Sequence, residues 1–134
     1  EQLGKTVYEV VIEASIIERE TMIDSEREIV AGVIKNRLEK GMRLEMCPTV
    51  LYPLTNGMYD KTTVSNKDTE LDSPYNTYEN TGLPVGPIAN PGLLSLEAAL
   101  NPAEHEFYFY HTDNQKNDGS HIFIKTYKEH TNTQ

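Results

Sequence analysis

Residues 4 to 22 form a run that is apolar on nearly every side of a helix, with Val7, Tyr8, Val10, Val11, Ile12, Ala14, Ile16 and Ile17 spread round it. A helix of that kind belongs in the centre of a domain, with other elements packed about it. No other feature constrains the fold as strongly. Yet the run closes on Glu18-Arg19-Glu20. Either a buried helix simply reaches solvent there, or one carboxyl is held at the edge of an apolar cleft.

The following segment predicts a second helix. Ser25 and Glu28 have the S-x-x-E spacing of a capping box, Ile29, Val30, Val33, Ile34 and Leu38 recur at three- and four-residue steps, and Gly41 supplies the stop. Two helices joined so closely are expected to pack as an αα-hairpin. From Met42 to about Asn90 helical periodicity is lost among Pro48, Pro53, Pro74, Pro84 and Pro87, which predicts loops and short strands. A loop region this long in a compact domain is expected to shape a binding site. Asn90-Pro91-Gly92 reads as a helix start, Leu93 to Leu100 as a short helix closed by Pro102. Phe107 to His111 and Ile122 to Ile124 read as the strands of a β-hairpin with a polar loop at 113–119, and Tyr127 to His130 as a last helical turn. The expected class is α+β: a central helical hairpin, further short helices, a small antiparallel sheet and a long cleft-forming loop region.

At 134 residues the chain is one domain, able to bury a core without disulfides or metal. A net charge of -9 argues against a nucleic-acid partner, whose phosphates call for a basic face, and against attachment of this domain to anionic lipid. No run approaches the roughly 18 apolar residues of a membrane-spanning helix. The chain opens at Glu1 with a helix close behind, so it is expected to be a fragment of a longer protein.

Several chemistries lack their residues. His105, His111, His121 and His130 show neither H-x-x-x-H nor H-E-x-x-H spacing, so no metal site is expected. Cys47 is the one cysteine and reads as a semi-buried small residue. Gly82-Leu83-Pro84-Val85-Gly86 lacks the lysine and helix start of a phosphate loop. The carboxylates remain. A carboxyl beside apolar surface has the raised pKa that lets it act as an acid near neutrality. Residues two apart on a helix point about 200° from each other, so Glu18 and Glu20 cannot both face one cleft. Spacing does not choose between them. Arg19 and Arg27 are available to hold whichever carboxylate is structural. Ser73-Pro74-Tyr75-Asn76-Thr77-Tyr78, followed by Gly82-Leu83-Pro84, reads either as a carbohydrate-binding surface or as a rigid tyrosine-rich turn, and His121 either lines the same cleft or is structural.

These motifs occur together and in order. Ala14-Ser15-Ile16-Ile17-Glu18-Arg19-Glu20, Lys35-Asn36-Arg37-Leu38, Lys40-Gly41-Met42-Arg43-Leu44, Pro48-Thr49-Val50-Leu51-Tyr52, Tyr75-Asn76-Thr77-Tyr78, Gly86-Pro87-Ile88-Ala89-Asn90-Pro91-Gly92 and Asp118-Gly119-Ser120-His121-Ile122-Phe123 closely resemble the catalytic domain of the MltG/YceG-like endolytic murein transglycosylases, from about residue 5 to residue 130. The resemblance implies lytic cleavage of the β-1,4 bond between N-acetylmuramic acid and N-acetylglucosamine in peptidoglycan, without a cofactor. It implies that Glu20 is the catalytic acid and base and that Glu18 is structural or supporting. It brings in Asn36, Arg37, Thr49, Tyr75, Asn76, Tyr78 and His121 as substrate-binding or supporting residues. The attacking hydroxyl comes from the substrate, so a single carboxyl suffices, unlike the paired carboxylates of hydrolases. The resemblance also implies a parent protein anchored in the bacterial membrane, with this domain on the extracytoplasmic face, glycan strands as its substrate and the cell-wall synthesis machinery nearby. Similar sequences usually carry Asp where Cys47 stands and often Pro where Val85 stands. A non-catalytic peptidoglycan-binding module is the competing expectation. An aminodeoxychorismate lyase is disfavoured, because no lysine has the setting of a pyridoxal phosphate Schiff base.

Overall fold

A computed structural model describes residues 5–61, 63–112 and 119–125. The first helix, α1 (Val7–Glu20), begins at a capping box that joins Thr6 and Glu9, each side chain meeting the other's backbone N–H at 3.1 and 2.9 Å. Ile12, Ala14, Ser15, Ile16 and Ile17 are buried, as the apolar pattern requires. A short link containing a 3₁₀ turn at Asp24–Glu26 leads into α2 (Arg27–Lys40), which ends on Gly41 at φ 75°, the left-handed stop expected of it. The helical hairpin therefore forms as predicted.

The start of α2 differs from expectation. Glu26 is the N-cap residue and no side chain caps the helix, so Ser25 and Glu28 make no capping box. The 3₁₀ turn already carries the backbone into the helix, and the Glu26 carboxylate is turned away to His121. The prolines of the next segment also misled. Cys47-Pro48 opens a helix, α3 (Pro48–Leu54), because proline is tolerated in a first turn where its missing N–H costs nothing. The described residues between Met42 and Asn90 contain a further 3₁₀ turn at Asp68–Glu70 and no strand. The fourth helix, α4 (Leu93–Leu100), starts two residues after Pro91, with Gly92 as its N-cap, and packs across both α1 and α2.

Strands β1 (Phe109–Thr112) and β2 (His121–Ile124) pair antiparallel, with Tyr110 opposite Phe123 and Thr112 opposite His121. The polar loop at 113–118 and the helical turn expected at Tyr127–His130 lie outside the described residues. The core is one cluster drawn from all parts of the chain, including Ile16, Ile17, Val30, Ile34, Leu44, Ile88 and Ala99. No helix among the described residues is long and apolar enough to cross a membrane.

The hairpin is positioned by one face of α2. Gly32 has no Cβ, and one added there would lie 2.3 Å from the Ala103 carbonyl and 2.5 Å from His105 Nε2, so residues 103–105 can cross the helix only at glycine. The backbone N–H of Ala103 donates to the Glu28 carbonyl at 2.9 Å. Asn36 Nδ2 then donates to the carbonyls of His105 and Phe107, and Arg37 Nε to that of Tyr108 at 2.7 Å. This row of bonds delivers the chain to β1 in fixed register.

Candidate active site

The last residue of α1, Glu20, opens into a cleft of about 330 Å³. Its walls come from distant parts of the sequence: Arg37 from α2, Leu44 to Cys47 from the loop before α3, Tyr78, and Phe109 to His111 from β1. The Tyr110 hydroxyl donates to Glu20 Oε1. Burial pushes the Glu20 carboxyl above its ordinary pKa, while the Tyr110 bond and the positive potential of Arg37 partly oppose that shift. The negative end of the α1 dipole acts in the same direction as burial. Tyr110 and Tyr78 are themselves raised, chiefly by burial, so both phenols remain protonated donors near neutrality. The Glu20 setting therefore combines an accessible carboxyl, a reason to hold its proton, and a neutral donor on its oxygen.

Glu18, on the other side of the helix, does different work. Its Oε1 accepts from the Gly92 backbone N–H and from Ser95 Oγ, both at 2.9 Å, so it caps α4 from outside. The Gly92 bond is the main cause of its lowered pKa. Arg27 supports this arrangement through a 3.0 Å bond to Ser95 Oγ. Arg19 instead lies over the Tyr59 ring, 3.7 Å from its centroid.

The remaining sequence candidates separate into cleft and scaffold. Arg37 reaches the cleft but is held by backbone carbonyls, donating through Nη1 to Leu44 at 2.8 Å and to Arg43 at 3.1 Å. Tyr78 reaches it too, with its hydroxyl 3.4 Å from Cys47 Sγ. Cys47 is more open than a semi-buried small residue, although the cleft wall still desolvates its thiol enough to push its pKa up. Asn36 is occupied by the carbonyls already described and lies outside the cleft lining. Thr49 is fully buried in a knot with Met46 and Thr77, at 2.6 Å to the Met46 carbonyl. Asn76 is also fully buried; its amide donates to Thr69 and Leu71 carbonyls and its Oδ1 accepts from the Tyr78 N–H. Tyr75 packs on Tyr52 at a centroid separation of 5.0 Å. Of residues 73–78, Tyr78 is the one in the cleft lining, and Asn76 shapes the turn that presents it. His121 stands behind the wall rather than in it, edge-on to Tyr110 at 5.1 Å and bound through its N–H and Nδ1 to Glu26 at 2.9 and 2.8 Å.

Tyr110, Glu45 and Phe109 are cleft residues that sequence reasoning passed over. Tyr110 looked like one aromatic in a β-like run, and nothing local to it indicates a partner 90 residues away. Glu45 carried a backbone signal that no sequence pattern reveals: φ of 50° in a residue other than glycine, beside Arg37 and Arg43.

All 134 residues match the model of the YceG-like family. The chain belongs to that family. Among its YceG-like relatives, an endolytic murein transglycosylase of Bacillus subtilis (strain 168) is 45% identical over 125 residues, covering 93% of this chain and 33% of the relative. An endolytic murein transglycosylase of Streptococcus pneumoniae serotype 2 (strain D39 / NCTC 7466) is 33% identical over 110 residues, covering 81% of this chain and 20% of its own length. The fold matches the crystal structure of a yceG-like protein from Listeria monocytogenes with a TM-score of 0.91 and 41% identity, over 99% of this chain and 42% of that one. This chain thus spans a third or less of the length of the curated relatives it matches.

Proposed function

We propose that this chain is the catalytic portion of an endolytic murein transglycosylase, with Glu20 as its single acid and base. The observation that carries the reading is the setting of Glu20: a carboxyl in an open cleft, raised by burial and bonded by a neutral phenol. The names of the relatives support murein as the substrate. The bond cut is the β-1,4 link between N-acetylmuramic acid and N-acetylglucosamine. Protonated Glu20 donates to the glycosidic oxygen as the bond from C1 breaks. The resulting carboxylate takes the proton of the muramic C6 hydroxyl while O6 closes on C1, leaving a 1,6-anhydro end. No water is consumed, and Glu20 finishes protonated. Between the two steps the Tyr110 hydroxyl stabilises the carboxylate, and Arg37 contributes positive potential from behind. In this reading the domain works on glycan strands at the extracytoplasmic face of the bacterial membrane, held there by the parent protein near the cell-wall synthesis machinery.

Mass spectrometry of peptidoglycan digests tests the proposal. The chain is expected to release anhydro-muropeptides, and Glu20→Gln to lower their rate of release by about 10²–10⁴-fold. Reducing ends in place of anhydro ends would show hydrolysis instead. Binding to peptidoglycan with neither product would identify a non-catalytic module.

A further inference from the structure

A second hollow of about 190 Å³ adjoins the active-site cleft, and the two share Glu20 and Cys47 as a common wall. Arg19, Tyr59 and Lys61 supply its polar lining, with Pro48 and Leu51 beneath. Two cations, Arg19 and Lys61, line this one hollow in a chain of net charge -9. Lys61 is partly neutralised by Asp68 at 2.6 Å. Arg19 is not: among the described residues it joins no carboxylate in an ion pair. Its guanidinium rests on the Tyr59 ring, which leaves the edge of the fork free to donate.

The platform under Arg19 is held in place at a cost. Tyr59 has a φ of 51°, in the left-handed region that residues with a Cβ rarely adopt. Two bonds keep it there: its hydroxyl donates to the Ile88 carbonyl at 2.8 Å and its N–H to Thr55 Oγ1 at 2.9 Å. Such strain survives where neighbouring structure over-determines it, and it gathers at ligand sites.

We propose that this hollow is a subsite for a carboxylate carried on the lactyl arm of the muramic sugar, met by the Arg19 fork with Tyr59 as its platform and Lys61 as a second cation. The inference rests on murein being the substrate. The muramic sugar bears its lactyl ether at C3, and that arm ends either in its own carboxylate or in a stem peptide with free carboxylates. The C3 arm is the acidic substituent of that sugar, and the hollow shares Glu20 and Cys47 with the cleft in which C1 would be placed. A planar guanidinium is suited to a carboxylate in a way a point charge is not.

Binding is measured in the Glu20→Gln chain, so that no probe is consumed. The probes are glycan strands with stems intact, strands stripped to the lactyl carboxylate, and strands whose carboxyls have been amidated. Amidation is expected to weaken binding about fivefold, and Arg19→Gln to weaken binding of the acidic strands equally and remove the preference for them. Arg19→Lys restores part of the preference. Preference confined to stem-bearing strands assigns the site to a stem carboxylate; preference shared by stripped strands assigns it to the lactyl group. An Arg19→Gln chain that still prefers acidic strands overturns the subsite. Anhydro product from the unsubstituted chain with no dependence on Arg19 removes the subsite alone. A carboxylate preference that depends on Arg19, in a chain that forms no product, removes the catalytic reading alone.

Discussion

Glu18 and Glu20 stand two residues apart on α1, and about 200° of helix separates their side chains. Their environments pull them in opposite directions. Glu18 finds a backbone N–H and a hydroxyl that favour its charge, whereas Glu20 is desolvated in a cleft wall with one phenol as partner. Two carboxyls with diverging pKa values on one helix divide into a structural anion and a candidate acid. Tyr110 tunes the second. Its hydrogen bond favours the carboxylate, so Tyr110→Phe is expected to raise the Glu20 pKa further. The acid works only while protonated, so the descending, high-pH limb of the kcat/KM profile should move to higher pH in that variant. A limb that stays in place or moves down would show that Tyr110 does not act through Glu20.

Among the elements, α2 does most to place the wall of the cleft. Its Gly32 lets residues 103–105 cross, and Asn36 and Arg37 then bind successive carbonyls of the strand leading to β1. Asn36 is thus a tether for the wall opposite Glu20. Gly32→Ala tests the crossing. In an open helix the change would stabilise by about 1 kcal/mol. Here the new methyl meets the Ala103 carbonyl, a backbone atom that cannot swing aside. The expected net result is destabilisation by about 1–3 kcal/mol, read as a lowered Tm and a lower denaturation midpoint. A Tm unchanged or raised would mean that the 103–105 segment is not bound as described.

For the molecule as a whole, the cleft exists only because the β-hairpin docks against the helices. Glu26, just before α2, accepts from both the N–H and Nδ1 of His121 on β2, and the paired strand β1 carries Tyr110 to Glu20. Glu26→Ala removes both attachments and leaves a half-buried backbone N–H without its partner, at a cost of about 1–2 kcal/mol. The loss is expected to be local. Amides of His121 to Ile124 should exchange faster, those of α1 and α2 should be little changed, and peptidoglycan cleavage should fall with the loosened hairpin. Uniformly faster exchange throughout the chain would instead make Glu26 a determinant of global stability.

Much of this was legible without coordinates. The apolar run of α1, the Gly41 stop, the short helix at Leu93–Leu100 and the two strands are local patterns, set by side-chain periodicity and backbone preference within a few residues of one another. The ordered motifs were likewise enough for the family. Local pattern failed where a partner far along the chain decided the outcome. The 3₁₀ turn at Asp24–Glu26 moved the start of α2 past Ser25, so the Ser25–Glu28 box did not form, and His121 far along the chain holds the Glu26 carboxylate away from the helix. Asn76 and Thr49 had the chemistry of sugar contacts but are buried among backbone groups that only the fold brings to them. Tyr110 meets Glu20 across 90 residues. The sequence alone determined the helices at α1, α2 and α4 and the pair of strands near the C-terminal end, though not α3, and that one of two neighbouring glutamates could be special. Which glutamate faces an open cleft, and which residues surround it, only the tertiary structure decided, because desolvation and hydrogen bonding depend on everything packed around a group and not on its neighbours in the chain.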